Sequence, residues 1–208
     1  MNSTAQRTGR PRKGAADKRE AVLGAARKVF GQVGYLGASI DMIATEAQVS
    51  TRTIYNHFAN KEQLFAVALT ESSEQVAARH EAMIARHLHD GVTAATLESA
   101  LVALATEWRR PDAEAAEHFA IVRRMHAEGE DFPAELVETW RESGPRRVQR
   151  ALAEHLAALG ARGLLQVADP VVAAQHYAVL VTNSWSQDST GDAETGVHTF
   201  LYGHLPRG

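Results

Sequence analysis

Apolar residues recur at three- and four-residue spacing along almost the whole chain, a period that predicts helices rather than strands. The first run covers 17–33, with Val22, Ala26, Val29, Phe30 and Val33 on one face and Gly34 following as the stop. After a short connection, Ser39 is an N-cap type of residue, and Ile40, Ile43 and Ala44 continue at helical spacing. Ala47 is small where two helices must approach closely, and Val49 is the lone apolar residue of a tight turn. Ser50 caps again. Ile54 and Phe58 then face inward from a third, very short helix, while Thr51, Arg52, Thr53, Tyr55, Asn56 and His57 point outward. Asn60 with Gln63 forms a capping box that opens a long fourth helix through Leu64, Phe65, Ala68, Leu69 and Val76 towards His89.

The rest of the pattern is helical too. A fifth helix is expected over 92–110 (Leu97, Leu101, Leu104, Trp108), stopped by Pro111. A sixth follows over 112–128 with Phe119, Val122 and Met125. Pro133 starts a short helix with Leu136, Val137 and Trp140, and Gly144-Pro145 breaks it. The eighth covers 145–160 with Val148, Leu152, Leu156 and Leu159. Asp169-Pro170 is an N-cap and N1 pair for a ninth helix reaching about residue 185. A polar loop over 186–192 leads to a last helix over 193–202. No strand and no internal repeat emerges, so the fold class is all-α. Val171, Val172, Ala174, Tyr177, Leu180 and Val181 lie on more than one face of the ninth helix. Such a helix is either central to one chain's core or shared with a second copy.

Composition narrows the class. A chain of 208 residues with 45% apolar content and no cysteine suits a soluble globular protein without disulfides or thiolate chemistry. Arginines near the start are not followed by an apolar run, so no secretory signal is expected. The most apolar stretch, 170–181, is interrupted by Gln175 and His176 and is shorter than the ~18–20 residues a bilayer requires. The net charge of −3 divides unevenly, +5 over residues 1–65 and −8 over 66–208. One end is fitted to a polyanion and the other would be repelled by it. Residues 1–15 lack an apolar pattern and are expected to be a disordered basic arm. Its Gly-Arg-Pro-Arg run could place Arg10 and Arg12 in a narrow minor groove; a solubilising tail would have the same composition.

Enzyme signatures come close and fail at the working residue. His80-Glu81-Ala82-Met83-Ile84 has Ile84 where a zinc-protease helix needs its second histidine. Gly37-Ala38-Ser39-Ile40-Asp41 has Asp41 where a nucleophile elbow needs glycine. Gly9 to Ala15 has phosphate-loop glycine spacing but Ala15 in place of lysine. The ten histidines are scattered without an intact ligand motif. No catalytic residue, metal site or cofactor is expected.

Residues 39–61 carry the specific signal. Val49, Ser50, Thr53, Ile54, Tyr55, His57, Phe58, Asn60, Lys61 and Leu64 fill the signature of the tetracycline-repressor (TetR) family, Val-Ser-x-x-Thr-[Ile/Leu]-Tyr-x-[His/Tyr]-Phe-x-[Asn/Ser]-Lys-x-x-Leu. The block thus resembles that family's helix-turn-helix, with one departure: Gln48 stands in the turn where members often have glycine. If Gln48 sits at positive φ, the side chain costs roughly 1–2 kcal/mol. The later region, with Glu-Ser-Gly-Pro-Arg-Arg-Val at 142–148, resembles the family's C-terminal part less closely.

The resemblance implies a DNA-binding domain over 16–62, joined by a long helix to a ligand-binding and dimerisation domain over 63–208. It implies a cytoplasmic regulator, a repressor for choice, that binds a pseudo-palindromic double-stranded DNA operator as a homodimer and is released by an unidentified small molecule. Arg52 suits base readout, because a guanidinium can bridge guanine O6 and N7, with Thr51 and Asn56 beside it. Ser39, Thr53, Tyr55, His57 and Lys61 suit phosphates, with Ser50 capping the reading helix. Trp108, Phe119, Met125, Trp140 and Tyr177 are the candidate pocket residues, although aromatics at helical spacing also serve as plain core. The dimer is expected chiefly from the eighth and ninth helices, with the last assisting. A constitutive DNA-binding protein without a ligand, or an enzyme carrying a helix-turn-helix module, would share much of this pattern.

Overall fold

Among the described residues, most of the backbone is helical. The computed structural model describes residues 12–110, 113–129, 132–182 and 191–205. In order the helices are α1 (Arg12–Gly37), α2 (Ile40–Glu46), α3 (Thr51–Tyr55), α4 (Lys61–His87), α5 (Leu97–Trp108), α6 (Ala113–Glu128), α7 (Ala134–Ser143), α8 (Pro145–Ala161), α9 (Pro170–Thr182) and α10 (Gly191–His204). Among the described residues there is no strand, and no helix is long and apolar enough to cross a membrane. Arg10 and most of the basic arm lie outside the described residues, as do residues 183–190. Arg12 opens α1, which starts earlier than the apolar pattern alone marks.

Local chemistry accounts for most boundaries. Gly34, at φ 78° and ψ 176°, breaks α1 where the sequence places the stop, and one more turn follows to Gly37. α5 begins at Leu97 rather than near 92. The Thr96 hydroxyl accepts the Thr93 amide at 2.9 Å, so β-branched, hydroxyl-bearing residues hold a turn there instead of a helix. Pro145 opens α8 at its first turn, and the Asp169 carboxylate accepts the amides of Val171 and Val172 at the start of α9.

The chain divides into two compact units. One holds the chain up to Ser72 together with Glu114–Leu136; the other holds Ser73–Ala113 and the chain from Val137 onward. In the first, Val22, Leu23, Ala26, Val29 and Phe30 of α1 are buried with Ile43, Ile54, Leu64, Phe65, Ile121 and Met125. Val33, expected on the buried stripe, is 39% exposed, because the helix breaks one residue later and its last turn projects past the core. Phe30, Tyr35, Phe65 and Phe132 form an aromatic cluster with ring centroids 4.9–6.2 Å apart. Such pairs add ~0.5–1.5 kcal/mol each beyond their buried area.

In the second unit, α8 packs on α9, α9 on α10, and α10 on α5. Leu101, Leu104, Leu152, Leu156, Tyr177, Val197 and Phe200 are among its fully covered side chains. The Tyr177 hydroxyl donates to the Leu101 carbonyl at 2.7 Å, which satisfies a buried phenol, and burial pushes its pKa up.

Candidate nucleic-acid interface

Two short helices meet at a turn whose hydrogen bonds define its geometry. Ser39 caps α2, its hydroxyl oxygen accepting the Met42 amide at 3.2 Å. At the other end the Val49 amide donates to the Ala44 carbonyl at 3.0 Å and the Gln48 amide to Thr45 at 3.1 Å. This is the paired bonding of a Schellman motif, which requires a left-handed residue at its C′ position. Gln48 occupies that position at φ 55°. The same pair of bonds closes α8, from Gly163 to Gly160 and from Leu164 to Leu159, and there the left-handed residue is a glycine at φ 73°.

Ser50 then caps α3, accepting the Thr53 amide at 3.2 Å and meeting the Thr53 hydroxyl at 3.0 Å. Ile54 and Phe58 are buried, and the short helix packs on α2. On the other side Arg52, Tyr55 and Asn56 are exposed, and Thr51, Thr53 and His57 are half-buried. Tyr55 is 56% exposed, so its ring serves the surface rather than the core. Among the described residues no side-chain partner holds Arg52, Tyr55 or Asn56. A row of uncommitted donors and acceptors on a rigidly backed helix is the chemistry that base edges and phosphates require.

Lys61 is placed differently. Its ammonium donates to the carbonyls of Tyr35 and Ala38, both at 3.0 Å, and lies 4.4 Å from the centre of the Tyr35 ring. The side chain thus holds the connection between α1 and α2, and a role at a phosphate rests on its remaining N–H. At the start of α4 the Asn60 side chain accepts the Gln63 amide at 2.7 Å, and the Gln63 side chain reaches back one residue past the cap to accept the Ala59 amide at 2.6 Å. Lys28 of α1 pairs with Glu46 of α2 at 2.6 Å, and that carboxylate holds the ammonium's pKa up. No sequence motif marks that tie. Arg12 is the first residue of α1, and Ser39 and Ser50 act at caps, Ser50 also sharing a hydrogen bond with the Thr53 hydroxyl.

Two family models match. That of the bacterial regulatory proteins of the tetR family covers residues 22–68, and that of the AefR-like transcriptional repressor C-terminal domain covers 113–190. The chain belongs to the TetR family of bacterial transcriptional regulators. A solved TetR-family regulator from Mesorhizobium loti is 26% identical, with a TM-score of 0.78, over 95% of this chain and 100% of that one. The flavonoid-responsive regulator FrrA is 27% identical, TM-score 0.65, over 93% of this chain and 100% of its own. The uncharacterized HTH-type regulator YhgD of Bacillus subtilis is 45% identical over 49 residues, 24% of this chain and 26% of YhgD. UidR of Escherichia coli is 34% identical over 65 residues, 31% of this chain and 33% of its own. The chain therefore matches only a quarter to a third of the length of these curated relatives.

The five candidate pocket residues of this family member are divided between the two units. Trp108, Trp140 and Tyr177 belong to the second unit; Phe119 and Met125, both on α6, belong to the first. Trp108 is half-buried and stacks on His80 with centroids 5.0 Å apart. Trp140 and Met125 are buried, Tyr177 is fully enclosed, and Phe119 is 43% exposed.

Proposed function

We propose that the protein is a homodimeric repressor that reads a pseudo-palindromic operator with α3 and leaves it when a small molecule binds. The observation that carries this reading is the surface of α3: Arg52, Tyr55 and Asn56 stand exposed without partners, backed by buried Ile54 and Phe58. Arg52 reads a guanine, with Thr51 and Asn56 beside it, and Thr53, Tyr55, His57 and the caps at Ser39 and Ser50 hold phosphates. Such a partner implies a protein working where the chromosome is, in the cytoplasm.

Two-fold symmetry needs a second copy, and α9 and α10 supply the surface for it. Ala173, Ala174, Tyr177 and Val181 bury one side of α9. Val172 and Val179 lie on the opposite side at 40% and 54% exposure, Leu180 flanks it at 36%, and Tyr202 of α10 is 90% exposed. A helix apolar on both sides calls for cover on both. No large apolar side chain of α8 is exposed to this degree, so the pairing favoured is α9 and α10 with their copies rather than α8 with α9.

Repression is supported by the AefR-like repressor match over 113–190, and response to a small molecule by FrrA's likeness over nearly the full length. Trp108, Trp140 and Tyr177 suit a neutral or cationic, aromatic-stacking effector in an acidic C-terminal region. The test is selection of bound DNA from a random duplex pool, followed by affinity for the winning duplex across a panel of aromatic small molecules. The expected result is a palindrome with half-sites about one helical turn apart and an affinity lowered roughly 5–150-fold by at least one compound. An unstructured consensus would overturn the operator reading, and an affinity that no compound moves would overturn the effector reading.

A further inference from the structure

The end of α1 is capped from another part of the chain. Gly34 breaks the helix at φ 78°, and the Glu128 side chain, at the last residue of α6, fills the space beside it: a Cβ added at Gly34 would lie 1.8 Å from Glu128 Oε1. The other oxygen, Oε2, accepts the Tyr35 amide at 3.1 Å. One turn back along α6, Arg124 donates to the Gln32 carbonyl at 2.7 Å. A donor and an acceptor from α6 therefore satisfy backbone groups that the break in α1 would leave open. The same connection is held from α4, where Lys61 takes the Tyr35 and Ala38 carbonyls. Ser39, the cap of α2, comes next, and α2 sets the angle at which α3 is offered.

We propose that Glu128 is a positioning residue for DNA reading. Although it lies 93 residues from Tyr35 in sequence, it fixes the α1–α2 connection and with it the register of Arg52, Tyr55 and Asn56 on the duplex. The proposal rests on the DNA reading above. Losing the carboxylate leaves the Tyr35 amide open to solvent and the connection, with Gly34 and Gly37 in it, held less tightly, from α4 alone through Lys61. Base readout depends on register and suffers; general attraction to phosphates does not depend on it.

The experiment compares the parent chain with Glu128→Ala and Glu128→Gln in two readouts. One is hydrogen exchange at the Tyr35 amide. The other is affinity for the duplex recovered by selection and for a scrambled duplex of equal length. Glu128→Ala is expected to speed exchange and weaken the selected duplex about tenfold each, leaving the scrambled duplex within about twofold. Glu128→Gln keeps a carbonyl acceptor and restores both readouts most of the way. Gly34→Ala, strained by its φ and by the Glu128 carboxylate, should lose less thermal stability in the Glu128→Ala background than in the parent. Unchanged exchange in Glu128→Ala would overturn the proposal. Equal weakening of both duplexes, or a glutamine no better than alanine, would do the same. A parent that recovers no duplex would overturn the DNA reading, and the proposal with it, whereas a parent that does, beside an unaltered Glu128→Ala, would overturn the proposal alone.

Discussion

Lys61 lies 4.4 Å from the centre of the Tyr35 ring and donates to the same residue's carbonyl at 3.0 Å. A charge held by two carbonyls and an aromatic face is part of the structure, whereas the Arg52 charge is free. The two cations should therefore fail differently. Lys61→Met is expected to lower unfolding stability by about 2 kcal/mol and to weaken every duplex. Arg52→Ala should leave the melting temperature unchanged and cost roughly 1–3 kcal/mol at one base position of the half-site. Thermal melts beside affinities for single-base operator variants separate the two; an Arg52→Ala protein with intact discrimination would remove that residue from base readout.

Gln48 holds a left-handed conformation at φ 55° in a motif that Gly163 fills elsewhere in the chain. Gln48→Gly should relieve the steric penalty while loosening the unfolded chain, for a net gain of about 1 kcal/mol. Chemical denaturation measures it. A loss would mean that the Gln48 side chain makes a contact outweighing its backbone strain.

Phe132 packs on Phe65 at 5.2 Å and on Tyr35 at 5.6 Å, so a side chain from the α6–α7 connection completes the core beneath the helix-turn-helix. Phe132→Ala should cost about 3 kcal/mol. A fragment ending near Ser72, without Glu114–Leu136, should show weak cooperativity in thermal unfolding. A fragment as stable as the full chain would show that α6 and Phe132 are dispensable to that core.

Val179 and Leu180 are exposed on α9. Val179→Glu with Leu180→Glu places four like charges across the proposed two-fold contact and should leave a folded monomer by sedimentation, with operator affinity greatly reduced. A dimer that survives both changes would move the interface elsewhere.

Glu107 accepts hydrogen bonds from His87 at 2.7 Å and from Arg86, and these two partners hold its carboxyl below the usual carboxylate range. A lowered folded pKa favours the native state above the unfolded value of about 4.3 and the benefit disappears as pH falls through the lower folded value. Glu107→Gln should therefore lower stability at neutral and higher pH, where the carboxylate's benefit is present, and converge on the parent as pH falls below about 4. Denaturation midpoints at several pH values test this.

The helix-turn-helix was legible in the chain because its determinants are local. Ser39 and Ser50 cap within three residues, Ile54 and Phe58 repeat at helical spacing, and the turn demands a left-handed residue four positions after Ala44. Gly34 announces its break by residue type. The same local logic overextended the stripe of α1 to Val33 and began α5 too early, since neither the end of a core nor a threonine turn is visible in apolar spacing.

What the tertiary structure decided concerns partners far apart in sequence. Periodicity says that α6 has a buried face but not which helices cover it, and it assigns Glu128 to an ordinary helix end. Only the folded chain brings that carboxylate to Tyr35, commits Lys61 to two carbonyls, and divides the apolar faces of α9 into one buried and one open. Caps and periods are set by bonds three to five residues long, whereas these contacts depend on how whole helices pack, which no short stretch of sequence specifies.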